Sequence, residues 1–120
     1  MYCNVDDIKA SIKSYSFFQQ HNTPDDKELS VIGETVANEI NGYLLLYGYT
    51  IPPVNENMLN FLSSLNVLGV IAQLIAKLVP PDARPDNIAE KRYEMGLKLL
   101  SDRHYIPMAK VPKKEINKQW

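Results

Sequence analysis

The sequence predicts an all-α protein: a small bundle of about four helices with an extended C-terminal tail. Three observations carry this. Between Leu29 and Tyr47, apolar residues recur at steps of three and four (Leu29, Ile32, Val36, Ile40, Tyr43, Leu44, Tyr47), which keeps one face apolar for about five helical turns. Residues 57–76 carry no charged side chain and form the most hydrophobic stretch of the chain. No run shows the period of two that marks a strand, and no internal repeat occurs. At 120 residues the chain is long enough to bury a core without metals or disulfides. Residues 1–107 read as one helical domain and 108–120 as an arm.

A first, short helix starts at Asn4, a good N-cap, with Asp6 and Asp7 at the positive helix end. Ile8, Ile12 and Tyr15 share one of its faces, and the helix is expected to end near Ser16 to Gln20. In Thr23-Pro24-Asp25-Asp26, Thr23 is the expected cap of the second helix, Pro24 its first residue, and Asp26 the capping-box partner. That helix runs to Tyr47. Gly48 follows where a left-handed residue commonly closes a helix, Tyr49-Thr50-Ile51 favours extended backbone, and Pro52-Pro53 prevents an early restart.

The third helix spans about Asn55 to Leu78. Its length and apolarity raise the possibility of a membrane span. Against it stand Asn57, Asn60, Ser63, Ser64, Asn66 and Gln73, each costly in hydrocarbon without a partner. On a helical wheel Asn57, Asn60 and Ser64 share one side, with Asn66, Gln73 and Lys77 roughly opposite. Such a pattern suits a helix buried on different faces along its length, against its own domain and against another subunit. After Pro80-Pro81 and a polar turn, a fourth helix is expected from about Pro85 to Asp102, with Ile88, Ala89, Tyr93, Gly96, Leu97 and Leu100 facing the core. Arg92 and Lys98 face outward, and Arg103 and His104 suit its negative C-terminal end. Gly96 is unfavourable inside a helix and so signals close approach of another helix.

The formal charge of −1 hides an asymmetry: residues 1–60 hold 8 Asp/Glu and 3 Lys/Arg, residues 61–120 hold 6 and 10. Such a dipolar chain can stack head to tail, or simply present two solvated surfaces that never meet. The lone Cys3 cannot form an intrachain disulfide and reads as a small apolar residue. The N-terminus lacks the regions of a signal peptide, so synthesis in the cytosol is expected.

Nothing in the sequence assembles catalytic chemistry. His21 and His104 lie far apart, and no cysteine pair or HExxH spacing offers a metal site. There is no GxSxG, Cys/His context or Gly-rich phosphate loop. Asp6, Asp7, Asp25, Asp26 and Glu28 cluster at helix starts, where caps and the helix dipole account for them. No enzyme and no cofactor is expected. The tail, by contrast, has anchors: Val111, Ile116 and Trp120 stand among Lys110, Lys113, Lys114 and Lys118. These residues are the candidate partner-docking site, because a terminal Trp offers a large apolar area to a receiving pocket.

Three segments, in order, resemble the head-tail joining, or head completion, proteins of tailed bacteriophages, in particular the small helical proteins of Mu-like phages and prophages. They are Met1-Tyr2-Cys3 with Val5-Asp6-Asp7-Ile8; Ala37, Glu39-Ile40, Gly42-Tyr43-Leu44, Tyr47 and Pro52; and Lys91-Arg92-Tyr93-Glu94 with Gly96-Leu97 and Leu99-Leu100. Residues 58–78 are greasier than the family's third helix, and 13–26 fit it poorly. The resemblance implies a connector adaptor in the virion neck: a homo-oligomeric ring of about a dozen copies on the portal protein, continuing the channel through which DNA passes as cargo and meeting the next neck or tail component. It also implies that Lys110 to Trp120 is an arm reaching toward the portal. Two other classes remain open. One is a small helical regulator binding DNA or protein, although the helix after the Asp82 to Asp86 turn opens with Asp86, Asn87 and Glu90, which suit phosphates badly. The other is a membrane-associated phage protein that inserts residues 57–76.

Overall fold

The computed structural model describes residues 1–15, 18, 24–78 and 88–101. They form four helices, α1 (Val5–Lys13), α2 (Asp26–Leu46), α3 (Glu56–Leu78) and α4 (Ile88–Leu100), and among the described residues there is no strand.

The starts of α1, α2 and α3 are each fixed by a short polar side chain. Asn4 closes a full capping box on α1: its side chain accepts the Asp7 N–H at 2.8 Å, and the Asp7 carboxylate accepts the Asn4 N–H at 3.1 Å. The end of α1 comes earlier than the sequence suggested. Ser14 folds back, its N–H donating to the Ser11 carbonyl at 3.0 Å and its hydroxyl donating to the same oxygen at 2.7 Å, a local bond that competes with continuing the helix. The cap of α2 is also corrected. Asp25, with extended backbone, accepts the Glu28 N–H at 2.8 Å, so Pro24 precedes the cap instead of opening the helix. An aspartate is at least as good an N-cap as a threonine and adds negative charge at the helix's positive end. Thr23 itself lies outside the described residues.

The end of α2 is as expected. Gly48 sits at φ +84°, the Gly48 N–H donates to the Leu45 carbonyl at 3.2 Å, and the Tyr49 N–H donates to the Leu44 carbonyl at 2.8 Å. This is a Schellman closure, and Leu44 and Tyr49 are both buried in the core beside it. The chain then passes the cis Ile51–Pro52 bond to Asn55, whose side chain accepts the Met58 N–H at 3.0 Å and caps α3.

Helix α3 is the centre of the bundle and packs on α1, α2 and α4, whereas α1 and α4 make at most marginal contact with each other. By length and composition it could cross a membrane, yet 56% of its apolar window is buried inside this bundle. Met58, Leu62, Val70, Ile71 and Leu74 are fully buried there, each worth about 1.5–3 kcal/mol of transfer free energy. The polar residues of α3 do not divide as the wheel suggested. Gln73 and Lys77 are exposed, but Asn66 has no exposure at all. Its amide nitrogen donates to the Gly33 carbonyl at 3.1 Å and its oxygen accepts the Tyr2 N–H at 2.8 Å, so it ties α3 to α2 and to the N-terminal segment.

Helix α4 packs on α3 through glycine contacts. A Cβ on Gly96 would stand 2.5 Å from Leu65 Cδ1, and one on Gly69 would stand 2.5 Å from Val36 Cγ1 and 2.8 Å from Tyr93 Cε1. The close approach expected at Gly96 is therefore real, and a second one exists at Gly69. Ala89, Tyr93, Gly96, Leu97 and Leu100 face inward as expected; Ile88, at the first turn, is instead 53% exposed. The Tyr49 hydroxyl donates to the Leu100 carbonyl at 2.5 Å, binding the end of α4 to the loop after α2. The expected start at Pro85, the Pro80-Pro81 stop, and Arg103 and His104 lie outside the described residues.

Candidate docking surfaces

The arm residues expected to dock a partner, Lys110, Val111, Lys113, Lys114, Ile116, Lys118 and Trp120, lie outside the described residues. The folded part presents three surfaces of its own.

The first is a cleft of about 280 Å³ between α2 and α4, floored by Gly69 and Ala72 of α3 and lined by Glu39, Tyr43, Glu90, Tyr93 and Glu94. The Tyr93 hydroxyl donates to the Glu39 carboxylate, and the Tyr43 and Tyr47 rings stack beside it at 6.2 Å. Burial, and then the hydrogen bond to Glu39, push the Tyr93 phenol far above its usual pKa, so it stays neutral and bridges the two helices. The cleft is acidic and aromatic, and it has no nucleophile paired with a base.

The second surface is a groove of about 180 Å³ between α3 and α4 on the side away from α2. Phe61, Leu65, Leu68, Met95 and Leu99 make it almost wholly apolar, Gly96 lets the helices close its floor, and Arg92 stands at its rim. Toward α1 it continues into a shallower depression lined by Asp7, Ser11, Ser63 and Ser64, because α1 and α4 leave that side of α3 uncovered.

The third surface is an apolar corner where α2 ends: Leu45 is 69% exposed, Leu46 70%, and Val54 89%. Sequence reasoning assigned these residues no role, yet a signal was there. Leu44, Leu45 and Leu46 are consecutive, and a helix turns about 100° per residue, so they cannot all face one core.

At the N-terminus, Cys3 is part of the core, as expected of a small apolar residue. Burial, reinforced by the Asp7 carboxylate, pushes its thiol up to about 11. Lys9 pairs with Asp26 at 2.5 Å, which raises the lysine's pKa, and the N-terminal amine pairs with Glu34 at 3.2 Å. No three His, Cys, Asp or Glu side chains come together to hold a metal among the described residues. Compared with known proteins, the chain matches no protein-family model, no curated protein and no solved structure.

Proposed function

We propose that this chain is a structural virion protein, a head-to-tail connector that forms a homo-oligomeric ring on the portal at the capsid vertex, made in the bacterial cytoplasm and resident in the neck of the particle. The ring continues the DNA channel and gives the next neck or tail component a seat. The observation that carries this reading is the ordered resemblance of three segments to head completion proteins of Mu-like phages. Those segments are bonded to one another in the fold: Tyr93 of the third donates to Glu39 of the second, and the Tyr2 hydroxyl of the first donates to Asn41, within the second. Two further features support it. The helical bundle leaves two separate apolar surfaces uncovered, as a protein that meets neighbours on two sides requires, and the lysine- and Trp-bearing C-terminal segment offers an arm for the portal.

Deleting the gene in an inducible phage or prophage that carries it tests this reading. The expected result is DNA-containing heads and separate free tails, which join when the protein is supplied in extracts. Complete infectious particles without the protein would overturn it.

A further inference from the structure

We propose that the free chain docks on an anionic lipid bilayer, laying the apolar corner at the end of α2 into the interface while the lysine-rich C-terminal segment meets the charged headgroups. The helical bundle stays intact. This is a peripheral contact made by a loop and a tail, different from insertion of α3, and it does not rest on the connector reading.

The corner is apolar in a way the rest of the surface is not. Leu45, Leu46 and Val54 are each more than two-thirds exposed, and Ile51 is 40% exposed. All four belong to residues 40–55, a stretch without one charged side chain, in which the other exposed positions are Gly42, Gly48 and Pro52. No polar side chain is exposed there to compete for water. Aliphatic surface left in water forgoes the transfer free energy that burial would recover, so a cluster of it points to a contact. The shape then narrows the choice. These side chains line none of the clefts and grooves described above, and they stand out from the surface. A protein partner would need a socket cut to each of them, whereas the fluid boundary between headgroups and acyl chains accepts an apolar surface of any outline.

The basic part of the chain begins at the same end of the bundle. Tyr49, in the loop between Leu46 and Val54, donates its hydroxyl to the Leu100 carbonyl at 2.5 Å and so fixes the end of α4 beside the corner. From there the sequence continues through residues 102–120, which carry Arg103, Lys110, Lys113, Lys114 and Lys118 against Asp102 and Glu115. Nineteen residues span at most about 60 Å, so these cations are within range of any surface the corner touches. Charge complementarity selects the lipid. The cytoplasmic face of a membrane is negative and attracts Lys and Arg held close to it, while a neutral bilayer offers them nothing. Trp120 adds a side chain of the kind that settles at the headgroup level. An apolar contact or a basic segment is weak singly; the two together hold a protein on a bilayer.

Vesicle flotation of the full-length chain tests this, comparing vesicles of phosphatidylglycerol and phosphatidylethanolamine with vesicles of phosphatidylcholine alone. The chain should float with the first and not the second, and its partitioning should fall about tenfold between roughly 0.1 M and 0.5 M salt. Leu46→Asp combined with Val54→Asp changes only exposed positions, so circular dichroism should be unaltered while partitioning drops by about tenfold or more. A chain ending at Ser101 should lose binding to a similar degree. A second readout does not depend on those variants: in a Cys3→Ala background, an environment-sensitive dye on Val54→Cys should shift to the blue on anionic vesicles, and the same dye on Gln73→Cys, exposed on α3, should stay in water. No flotation, or equal flotation of the double aspartate variant, would overturn the inference. So would flotation without a shift at position 54, which means adsorption by the tail alone, or a shift at position 73, which means insertion of α3. A chain that floats as expected but is absent from virus particles upholds this contact and removes only the connector reading.

Discussion

Replacing Asn66 by alanine probes the most consequential polar contact in the bundle. The side chain is fully buried at the meeting point of α2, α3 and the N-terminal segment, with bonds to the Gly33 carbonyl and the Tyr2 N–H. The Gly33 carbonyl keeps its place in the α2 ladder, so its loss is minor. The Tyr2 N–H loses its partner, and an unsatisfied buried donor costs about 1–3 kcal/mol. The atoms removed also leave a small void in a region where Met1 crowds Gly33, adding about 1 kcal/mol. The expected loss is about 2–4 kcal/mol, a large share of the roughly 5–15 kcal/mol that holds a domain together. Urea denaturation followed by circular dichroism measures it: with a slope of about 1.5 kcal/mol/M, the midpoint should fall by roughly 1.3–2.7 M. Asn60→Ala, on the exposed side of the same helix, is the control and should change stability by less than about 0.5 kcal/mol. An Asn66→Ala midpoint no different from the control's would refute the reasoning.

Other perturbations follow from the same structure. Gly42→Ala should stabilise the isolated chain by about 0.5–1 kcal/mol, since the new methyl meets nothing among the described residues and helix propensity improves, whereas Gly69→Ala, aimed at Val36 and Tyr93, should destabilise it; thermal melts of the two variants would show opposite signs. Cys3 gives a pH dependence. Burial raises its thiol to about 11 in the folded chain, above its value when unfolded, so its contribution is intact below pH 9 and is lost as pH rises toward 11. Cys3→Ala should flatten that part of a stability-versus-pH curve, and an unchanged alkaline decline would count against a buried thiol. The described helices build a core among themselves from Cys3 to Leu100, so removing residues 108–120 should leave the melting temperature within about 2 °C while abolishing incorporation into particles. Unchanged incorporation would refute the docking role of Lys110 to Trp120.

Much of the fold could be read from local chemistry. Asn4, Asn55 and Gly48 announce helix ends through interactions within a few residues, and the glycine at position 96 announces a close approach because its cost needs a compensating reason. The misses share a physical cause. The burial of Asn66 depends on Tyr2 and Gly33, far away in sequence, which a helical wheel of α3 cannot include. Thr23 and Asp25 are rival caps two residues apart, each with an acidic residue three positions on, and spacing alone does not choose between them. Ile88 falls on the core side of the wheel but lies at the end of its helix, beyond the reach of its neighbours' packing. For the docking surfaces the sequence directed attention to the C-terminal arm. The exposed leucines after Leu44 follow from three consecutive leucines in one helix, whereas the α3/α4 groove became visible only once α1 and α4 were seen to leave α3 uncovered on one side.

Counting copies in purified virus particles by quantitative mass spectrometry, with the portal protein as internal standard, tests the central claim most directly. The connector account predicts about one copy per portal subunit, a single ring at the vertex. Hundreds of copies, as for a capsid or tail-tube subunit, or none at all, would contradict it.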